Sequence, residues 1–295
     1  MTFETFISVC LGGMVLGALY ALMATGLAVV WTTLGIFNFA HGAFIAVGAY
    51  VAWQIGSVNA GGAGFLAGAL GAVVCLFFLG VGFHWVLVKP FERKPSVVLL
   101  SVVTTLAGAA ILEGVMNLTW GPRSKQLAPI LPGDLEWGGL VLSRNEIAMI
   151  ALALAILAAV GAFLRLSSTG RAMRAVAQNR EAAQLLGLDV GRLYGLAFGL
   201  SASLAGVAGL FIGSIRFMNP SMGAEPLMKA LIVVIFGGVA RFTSPIYAAF
   251  VVGLVEAFSA FYVGLYWTPA VLFALMIVVL MIKPEGLFGK HERSI

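Results

Sequence analysis

The chain contains few charged residues. Only 10% of its 295 residues are charged, whereas 61% are hydrophobic. Soluble globular domains carry about 25% charged residues, so this composition excludes a water-soluble globule. From Met1 to Val88 there is no lysine or arginine, and Glu4 is the only carboxylate. A segment of this kind requires the hydrocarbon of a membrane as its solvent.

Cysteine and histidine are also scarce. Cys10 and Cys75 lie in apolar segments, which excludes a disulfide framework and predicts two buried thiols. His41, His84 and His291 share no segment and have no carboxylate at ligand spacing, so we predict no metal site. The net charge of +5 comes from arginines that cluster beside apolar runs. Membrane topology explains such a bias, which therefore does not favour nucleic-acid binding.

Apolar runs long enough to cross a bilayer recur along the chain. A helix needs about 20 apolar residues to cross the hydrocarbon core. We predict an all-α polytopic membrane protein with about eight transmembrane helices, some short or broken, in one bundle. The predicted spans are Phe6–Leu34, Phe39–Ile55, Gly64–Val88, Val97–Leu118, Ile147–Leu166, Leu193–Ile215, Ile246–Tyr262 and Pro269–Ile282. A ninth apolar piece, Leu227–Val239, is short for a crossing, and short segments often occur at transport sites.

Basic clusters predict the sidedness of the loops, because arginine and lysine accumulate on the cytoplasmic face. Lys89–Lys94 marks one cytoplasmic loop, and the segment of about 165–192 marks another. The loop of about 119–146 lies between them in the chain and has balanced charges, so we predict that it is external. A cytoplasmic tail then requires an even number of crossings after the second basic loop. How the short ninth piece meets this requirement stays open, as does the side of the N-terminus.

The segment Arg165–Arg192 is the most charged part of the chain and holds five arginines. Its polar and apolar residues alternate with helical spacing, and a Ser/Thr run precedes them as a possible N-cap. The pattern predicts one short amphipathic helix on the membrane surface. We expect its apolar face to consist of Ala172, Val176, Ala183 and Leu186.

Within this segment, Glu181, Ala182 and Ala183 are followed, after three further residues, by Gly187. The pattern resembles the loop by which the permeases of ABC importers bind their ATPase subunits. It predicts an ATPase-coupling surface, and the alternative is an ordinary cytoplasmic loop rich in arginine. The residues assigned to this surface are Arg171, Arg174, Glu181, Ala182, Ala183 and Gly187.

Polar residues interrupt the apolar runs directly after the first span, at Asn38, His41 and Gly42. Polar groups at membrane depth are costly and usually face a bundle interior or a water-filled cavity. This predicts that Asn38, His41 and Gly42 line a substrate path or a gate. The alternative is structural: Asn38 satisfies freed backbone groups, and His41 is a packed, hydrogen-bonded core histidine.

A second polar position is Lys229, in the first turn of the short ninth piece. The N-terminus of a half-helix attracts a carboxylate, and Lys229 would add a full positive charge to a substrate path. The alternatives are that Lys229 extends to the membrane interface or pairs with Glu225. Glu113 and Glu256, in apolar spans, are further candidates, and each is expected to face the bundle interior as a structural hydrogen-bonding group.

Several motifs together resemble a known family. They are Tyr20–Leu27, Asn38–Gly42, Gly170–Ala172 with Glu181–Gly187, Lys229–Gly238 and Lys283–Gly289. On these motifs, over essentially its whole length, the chain resembles the permeases of branched-chain amino-acid ABC importers, specifically the LivH-type subunit. It departs from the wider importer pattern after Gly187, where the usual Leu-Pro is absent.

The resemblance implies a single transmembrane permease domain over residues 1–295, located in the bacterial inner membrane. It implies four kinds of partner: a second homologous permease subunit, two cytoplasmic ATPase subunits, a periplasmic substrate-binding protein and membrane lipid. The implied cargo is branched-chain or similar hydrophobic amino acids, with urea, short amides or other small carboxylates as the alternative.

No cofactor and no enzymatic activity are expected on this chain, because the partner subunits would bind ATP. The nearest match to a P-loop, Gly286–His291, lacks the required glycine spacing and the Ser/Thr.

Two other functional classes are weaker. An intramembrane serine protease would use Ser201, but a base must lie within hydrogen-bond reach, and His41 or His84 would reach Ser201 only through an unusual topology. A stand-alone channel or carrier needs a ring of ligands or an acidic relay, and Glu113 and Glu256 are too few and too scattered to provide one.

Overall fold

The computed structural model describes residues 2–57, 62–92, 94–137, 140–238 and 242–289. The helices are α1 (Phe3–Leu34), α2 (His41–Gly56), α3 (Gly62–Phe83), α4 (Val97–Trp120), α5 (Arg144–Leu166), α6 (Ser168–Gln178), α7 (Arg180–Leu185), α8 (Val190–Ile215), α9 (Ala224–Gly237), α10 (Ser244–Tyr262) and α11 (Thr268–Ile282). A π-helical turn (His84–Val88) and a 3₁₀ turn (Lys89–Phe91) continue α3. The predictions that rest on Arg93, Val239 and His291 lie outside the described residues.

Six of the described helices are long and apolar enough to span a bilayer: α1, α3 with the turns that continue it, α4, α5, α8 and α10. Three predicted apolar segments fold as shorter helices, since α2 has 16 residues, α9 has 14 and α11 has 15. Their lengths of about 21–24 Å fall short of a hydrocarbon core of about 30 Å. The helical membrane architecture is confirmed, whereas the count of about eight spans is not.

The loop between α4 and α5, which is predicted to be external, contains a hairpin that was not predicted from the sequence. Strands β1 (Asp134–Trp137) and β2 (Leu140–Ser143) pair in antiparallel fashion, with Asp134 opposite Ser143. The N–H of Ile130 donates to Asn145 Oδ1 at 2.8 Å, which ties the start of the hairpin to the first turn of α5. The predicted start of the fifth span is therefore three residues late, because α5 begins at Arg144.

The chain divides into two compact units. Unit 1 consists of Met1–Ala28, Pro129–Leu157 and Met228–Ile295, and unit 2 consists of Val29–Ala128 and Ala158–Leu227. The core of unit 2 is formed by α2, α3 and α8, which pack against one another. Ser203 Oγ of α8 donates to the carbonyl oxygen of Val73 in α3 at 3.0 Å, so small and polar residues bring these helices close together.

The two ends of unit 2 carry different loops. At one end, the N–H of Lys125 donates to Met218 O at 3.0 Å, and the N–H of Met218 donates to Lys125 O at 2.8 Å. Trp120 Nε1 donates to Gln54 Oε1 at 3.1 Å, so α2, α4 and α8 all end on this side. Helices α6 and α7 lie at the opposite end, where α8 begins. The two loops therefore lie at opposite ends of unit 2, and which end is cytoplasmic stays a prediction.

In unit 1, α10 packs against α11, and the C-terminal tail closes the end of α9. The N–H of Leu287 donates to Phe236 O at 2.7 Å, and the N–H of Phe288 donates to Gly237 O at 3.2 Å. Lys283 Nζ donates to Leu287 O at 2.8 Å, which folds the tail back on itself. The last carbonyls of a helix have no partner within the helix, so the tail acts as the C-terminal cap of α9.

Both cysteines are free thiols, and Cys75 is exposed. The prediction of two buried thiols is therefore wrong for Cys75, and Cys10 is only half-buried. Among the described residues, no group of three or more histidine, cysteine or acidic side chains could hold a metal ion.

Candidate coupling surface and buried polar sites

The arginine-rich segment folds as two short helices rather than the single helix predicted. Ser167 Oγ accepts from the N–H of Gly170 at 2.8 Å and caps α6. Asn179 Oδ1 accepts from the N–H of Ala182 at 2.9 Å and caps α7. The backbone of Asn179 is extended, with φ −155° and ψ 106°, so this residue ends one helix and begins the next. This break was not predicted from the sequence, although asparagine before a run of helix-forming residues is a typical N-cap signal.

Gly187 ends α7 in a Schellman motif. The N–H of Leu188 donates to Ala183 O at 3.1 Å, and the N–H of Gly187 donates to Gln184 O at 3.0 Å. Gly187 has a φ of 82°, a left-handed conformation in which other residues are strained. The spacing from Glu181, in the first turn of α7, to Gly187 is thus the length of one short helix together with its C-terminal cap.

The surface of α7 is more apolar than the sequence analysis predicted. Glu181–Ala182 and Gly187 are exposed, whereas Ala183 is buried against the protein. Leu185 is 89% exposed and Leu186 is 81% exposed. Leu186 is the C-cap of α7, and α7 starts at its own cap, so the predicted apolar face is not one continuous helical face. The end of α7 thus carries two adjacent exposed leucines beside charged residues.

The two arginines assigned to the coupling surface bind the end of a membrane span. Arg171 Nη1 donates to Leu166 O at 2.6 Å, and Arg174 Nη2 donates to Arg165 O at 3.3 Å. These carbonyls belong to the last turn of α5, where they lack partners within the helix. Arg171 and Arg174 therefore fasten α6 to the end of α5.

The break between α1 and α2 is held by side chains of unit 2. Asn38 Oδ1 accepts from the N–H of Ala40 at 3.1 Å, and Thr105 Oγ1 of α4 accepts from the N–H of Phe39 at 3.2 Å. Asn38 thus satisfies a freed backbone group, as the structural alternative states. Its side chain is fully buried, and within the described residues its Nδ2 has no acceptor.

His41, the first residue of α2, contacts Ser201 of α8. His41 Nδ1 lies 3.3 Å from Ser201 Oγ, and both side chains are fully buried. Ser201 lies about 17 Å along α8 from its start, near the middle of this span. The argument that His41 would need an unusual topology is wrong, because α2 is short and starts at mid-depth beside Ser201. A nucleophile must still reach its substrate, and the complete burial of both groups does not favour a protease.

The starts of the two short helices α2 and α9 meet at Gly42 and Gly223. A methyl group on either glycine would collide with the carbonyl oxygen of the other. His41 lies beside Ser201, near the middle of the candidate span α8, so both short helices begin at the level of the middle of that span. Discontinuous helices that start near the bilayer midplane are typical of transport sites.

In unit 1, Lys229 binds a carboxylate that the sequence analysis had not paired with it. Lys229 Nζ lies 2.7 Å from Glu256 Oε1, and Tyr20 Oη donates to Glu256 Oε2 at 2.5 Å. The side chains of Lys229 and Glu256 are only 15% and 9% exposed. The predicted interior position of Glu256 is confirmed. Glu225, the partner considered from sequence, forms an ion pair with Arg216 at 3.9 Å.

Comparison with known proteins identifies a family for this chain. The family described as branched-chain amino acid transport system / permease component matches residues 9–280. The permease protein LivH of Escherichia coli (strain K12) is 30% identical over 98% of this chain and 97% of its own length. BraD of Pseudomonas aeruginosa is 26% identical over 95% of this chain and 94% of its own length.

A solved structure, PsaBC from Streptococcus pneumoniae in complex with Fab, superposes with a TM-score of 0.51 at 11% identity, over 93% of this chain and 91% of that chain. This likeness concerns the fold alone. The match of the family over residues 9–280, together with six membrane-span helices, shows that this multi-pass membrane protein belongs to the permease components of branched-chain amino acid transport systems.

Proposed function

We propose that this chain is the permease subunit of an ATP-driven importer, and that α7 receives the movement of separate cytoplasmic ATPase subunits. The observation that carries this proposal is the exposure of Leu185 and Leu186 on a capped helix between two membrane spans. Helix α7 packs against α8 and α6, and α6 is bonded to the end of α5. A displacement of α7 would therefore act on both spans, as rigid helices shift together.

The family membership supports the remaining parts of the assembly. We propose a second homologous permease subunit, two ATPase subunits and a periplasmic substrate-binding protein as partners, in the inner membrane of a bacterium. ATP would be bound by the ATPase subunits, with no cofactor on this chain. The cargo would be branched-chain or similar hydrophobic amino acids; the names of LivH and BraD state branched-chain amino acid transport for those proteins. Urea, short amides or other small carboxylates are the alternative cargo.

The substrate path, in this proposal, passes the start of α2, at Asn38, His41 and Gly42. Support comes from the mid-depth position of these residues and from the two helix starts that meet there. Asn38 and His41 are completely buried, so this arrangement corresponds to a closed path. Movement of α8, which carries Ser201, would separate it from His41 and open the path. Lys229 stays a prediction as a path residue.

Reconstitution tests the importer proposal. The chain, its permease partner, the ATPase subunits and the binding protein would be placed in proteoliposomes, and leucine uptake would be measured with and without ATP. Uptake that requires ATP and every subunit would support the proposal. Concentrative uptake by the chain without an ATPase subunit would overturn it and favour an ion-coupled carrier.

A variant pair tests the role of α7. Leu185→Ser/Leu186→Ser should lower ATPase binding at least tenfold, because buried apolar anchors carry most of the affinity of an interface. Leu166→Ser is the matched control, since Leu166 is a 75% exposed leucine at the end of α5 but outside α7. Equal ATPase binding by both variants would contradict the assignment of α7.

A further inference from the structure

A cavity of about 780 Å³ opens where α3 ends and α8 begins, at the end of unit 2 that carries α7. Three segments contribute to its lining. Trp85 and Lys89 come from the turns after α3, Arg180 and Gln184 come from α7, and Asp189 and Arg192 come from the start of α8. The volume is that of a typical small-ligand site. The importer proposal assigns no role to this cavity.

The cavity lies at the depth of lipid headgroups. The spans Gly64–Phe91 and Val190–Ile215 both end among its lining residues, so it is located where the hydrocarbon core gives way to the polar interface. Trp85 is 48% exposed, and Lys89 Nζ lies 3.2 Å from the centre of its ring. Tryptophan and lysine at the end of a span are the residues that anchor a helix at this interface.

The charges of the cavity favour an anion. Glu92 Oε1 lies 2.6 Å from His84 Nε2, and Asp189 Oδ2 lies 2.9 Å from Arg192 Nε. Glu92 is thus hydrogen-bonded to His84, Asp189 is ion-paired with Arg192, and within the described ranges these contacts do not include Lys89 or Arg180. The lining holds three basic and two acidic side chains, a formal charge of +1 with His84 neutral. The guanidinium of Arg180 stacks 5.4 Å from the ring centre of Tyr194, a contact that keeps its charge available to a further partner.

We propose that this cavity binds the phosphate of an anionic phospholipid, with Lys89 and Arg180 as phosphate ligands and Trp85 beside the glycerol backbone. Basic pockets between spans on the cytoplasmic side bind anionic headgroups. Arg180 and Gln184 of α7 line the cavity, whereas the exposed Leu185 and Leu186 of the proposed ATPase contact do not. Arg180 is the first residue of α7, so a bound headgroup would join the start of α7 to the end of α3.

Native mass spectrometry of the full-length chain, in detergent with equal amounts of phosphatidylglycerol and phosphatidylcholine, tests this site. Wild type should retain phosphatidylglycerol selectively. Lys89→Gln/Arg180→Gln should weaken that binding about 30-fold, since each basic side chain near the surface contributes about 1 kcal/mol and 1.4 kcal/mol corresponds to tenfold. The control Lys94→Gln/Arg165→Gln removes two charges from the same face outside the lining, and it should bind like wild type.

Three further measurements make the result decisive. The charge-preserving Lys89→Arg/Arg180→Lys should restore phosphatidylglycerol binding, which separates loss of charge from misfolding. Millimolar inorganic phosphate should leave the lipid bound, and displacement would overturn the proposal in favour of a soluble phosphate site. Displacement of the lipid by added ATPase subunits would assign the cavity to a protein contact and would also overturn it. Equal retention of phosphatidylglycerol and phosphatidylcholine by wild type would also overturn the proposal.

Discussion

Lys229 and Glu256 form a shielded ion pair in unit 1, with 2.7 Å between Nζ and Oε1. The other carboxylate oxygen accepts a hydrogen bond from Tyr20, so both oxygens of Glu256 have partners. Moving a charge out of water is costly, and an opposite charge at this distance offsets much of that cost. Because α1, α9 and α10 each contribute one of the three groups, the cluster fixes the register of these helices.

Lys229→Met should lower the free energy of unfolding by about 3 kcal/mol, because it leaves the Glu256 carboxylate shielded and uncompensated. Thermal unfolding of the full-length chain in detergent measures this loss. Lys94→Met, at an exposed lysine, should change stability by less than about 0.5 kcal/mol. Lys229→Met/Glu256→Met should be more stable than Lys229→Met alone, since both charges are then removed. Equal stability of Lys229→Met and Lys94→Met would contradict a structural role for the ion pair.

Gly187→Val should uncouple ATP hydrolysis from uptake without preventing membrane insertion. Valine at a φ of 82° is strained by roughly 1–2 kcal/mol, so the Schellman motif that ends α7 would be lost. Gly187→Asn is the matched control, because asparagine tolerates the left-handed conformation. Uptake per ATP hydrolysed in proteoliposomes, with the amount of inserted protein determined by blotting, checks this prediction. If Gly187→Val kept the normal ratio of uptake to ATP hydrolysis, the proposed role of α7 in coupling would be contradicted.

Gly42→Ala should destabilise the start of α2 by ~1–3 kcal/mol, since its methyl group would press on the carbonyl of Gly223. Uptake should fall together with stability, because both short helices start at this contact. Gly82→Ala provides the comparison, as a methyl group there meets nothing within 4 Å. Unfolding midpoints and leucine uptake of both variants would be measured. Similar behaviour of the two variants would show that the contact at Gly42 is dispensable.

Ser201→Ala should retain uptake and lose only about 1 kcal/mol of stability, the value of one hydrogen bond. The reason is that Ser201 and His41 are completely buried, so the serine can position α2 against α8 but cannot meet a peptide. Uptake and cleavage of a fluorescent casein substrate would be assayed with wild type and variant. Cleavage by wild type that disappears in Ser201→Ala would revive the protease interpretation.

Local features of this chain could be predicted from its sequence because their physical causes are local. The apolar runs predict the helices, the arginines mark the segment that leaves the membrane, and the glycine at position 187 marks the end of α7. The break at Asn38 is also visible, since polar residues at that spacing interrupt an apolar run. Within the arginine-rich segment Arg165–Arg192, Asn179 is an N-cap signal that the prediction of a single helix did not use.

The partners of the buried groups could not be predicted, because they are distant in the chain. His41 and Ser201 are 160 positions apart, and Lys229 and Glu256 are 27 apart on different helices. A nearby acid, Glu225, therefore looked like the natural partner of Lys229. The start of α2 beside the middle of α8 depends on how the helices of unit 2 pack together. The helical periodicity of a sequence carries no information about that packing.

The mutual contact of Gly42 and Gly223 restricts which substitutions this protein can accept during evolution. A side chain at either position would collide with the backbone carbonyl of the other glycine. A second substitution at the other position cannot remove this collision, because the backbone carbonyl stays in place. Neighbouring residues can drift in size and polarity while this pair stays fixed. Among related chains, these two positions should vary less than the surrounding apolar residues. They should therefore serve as fixed points when distant sequences are aligned.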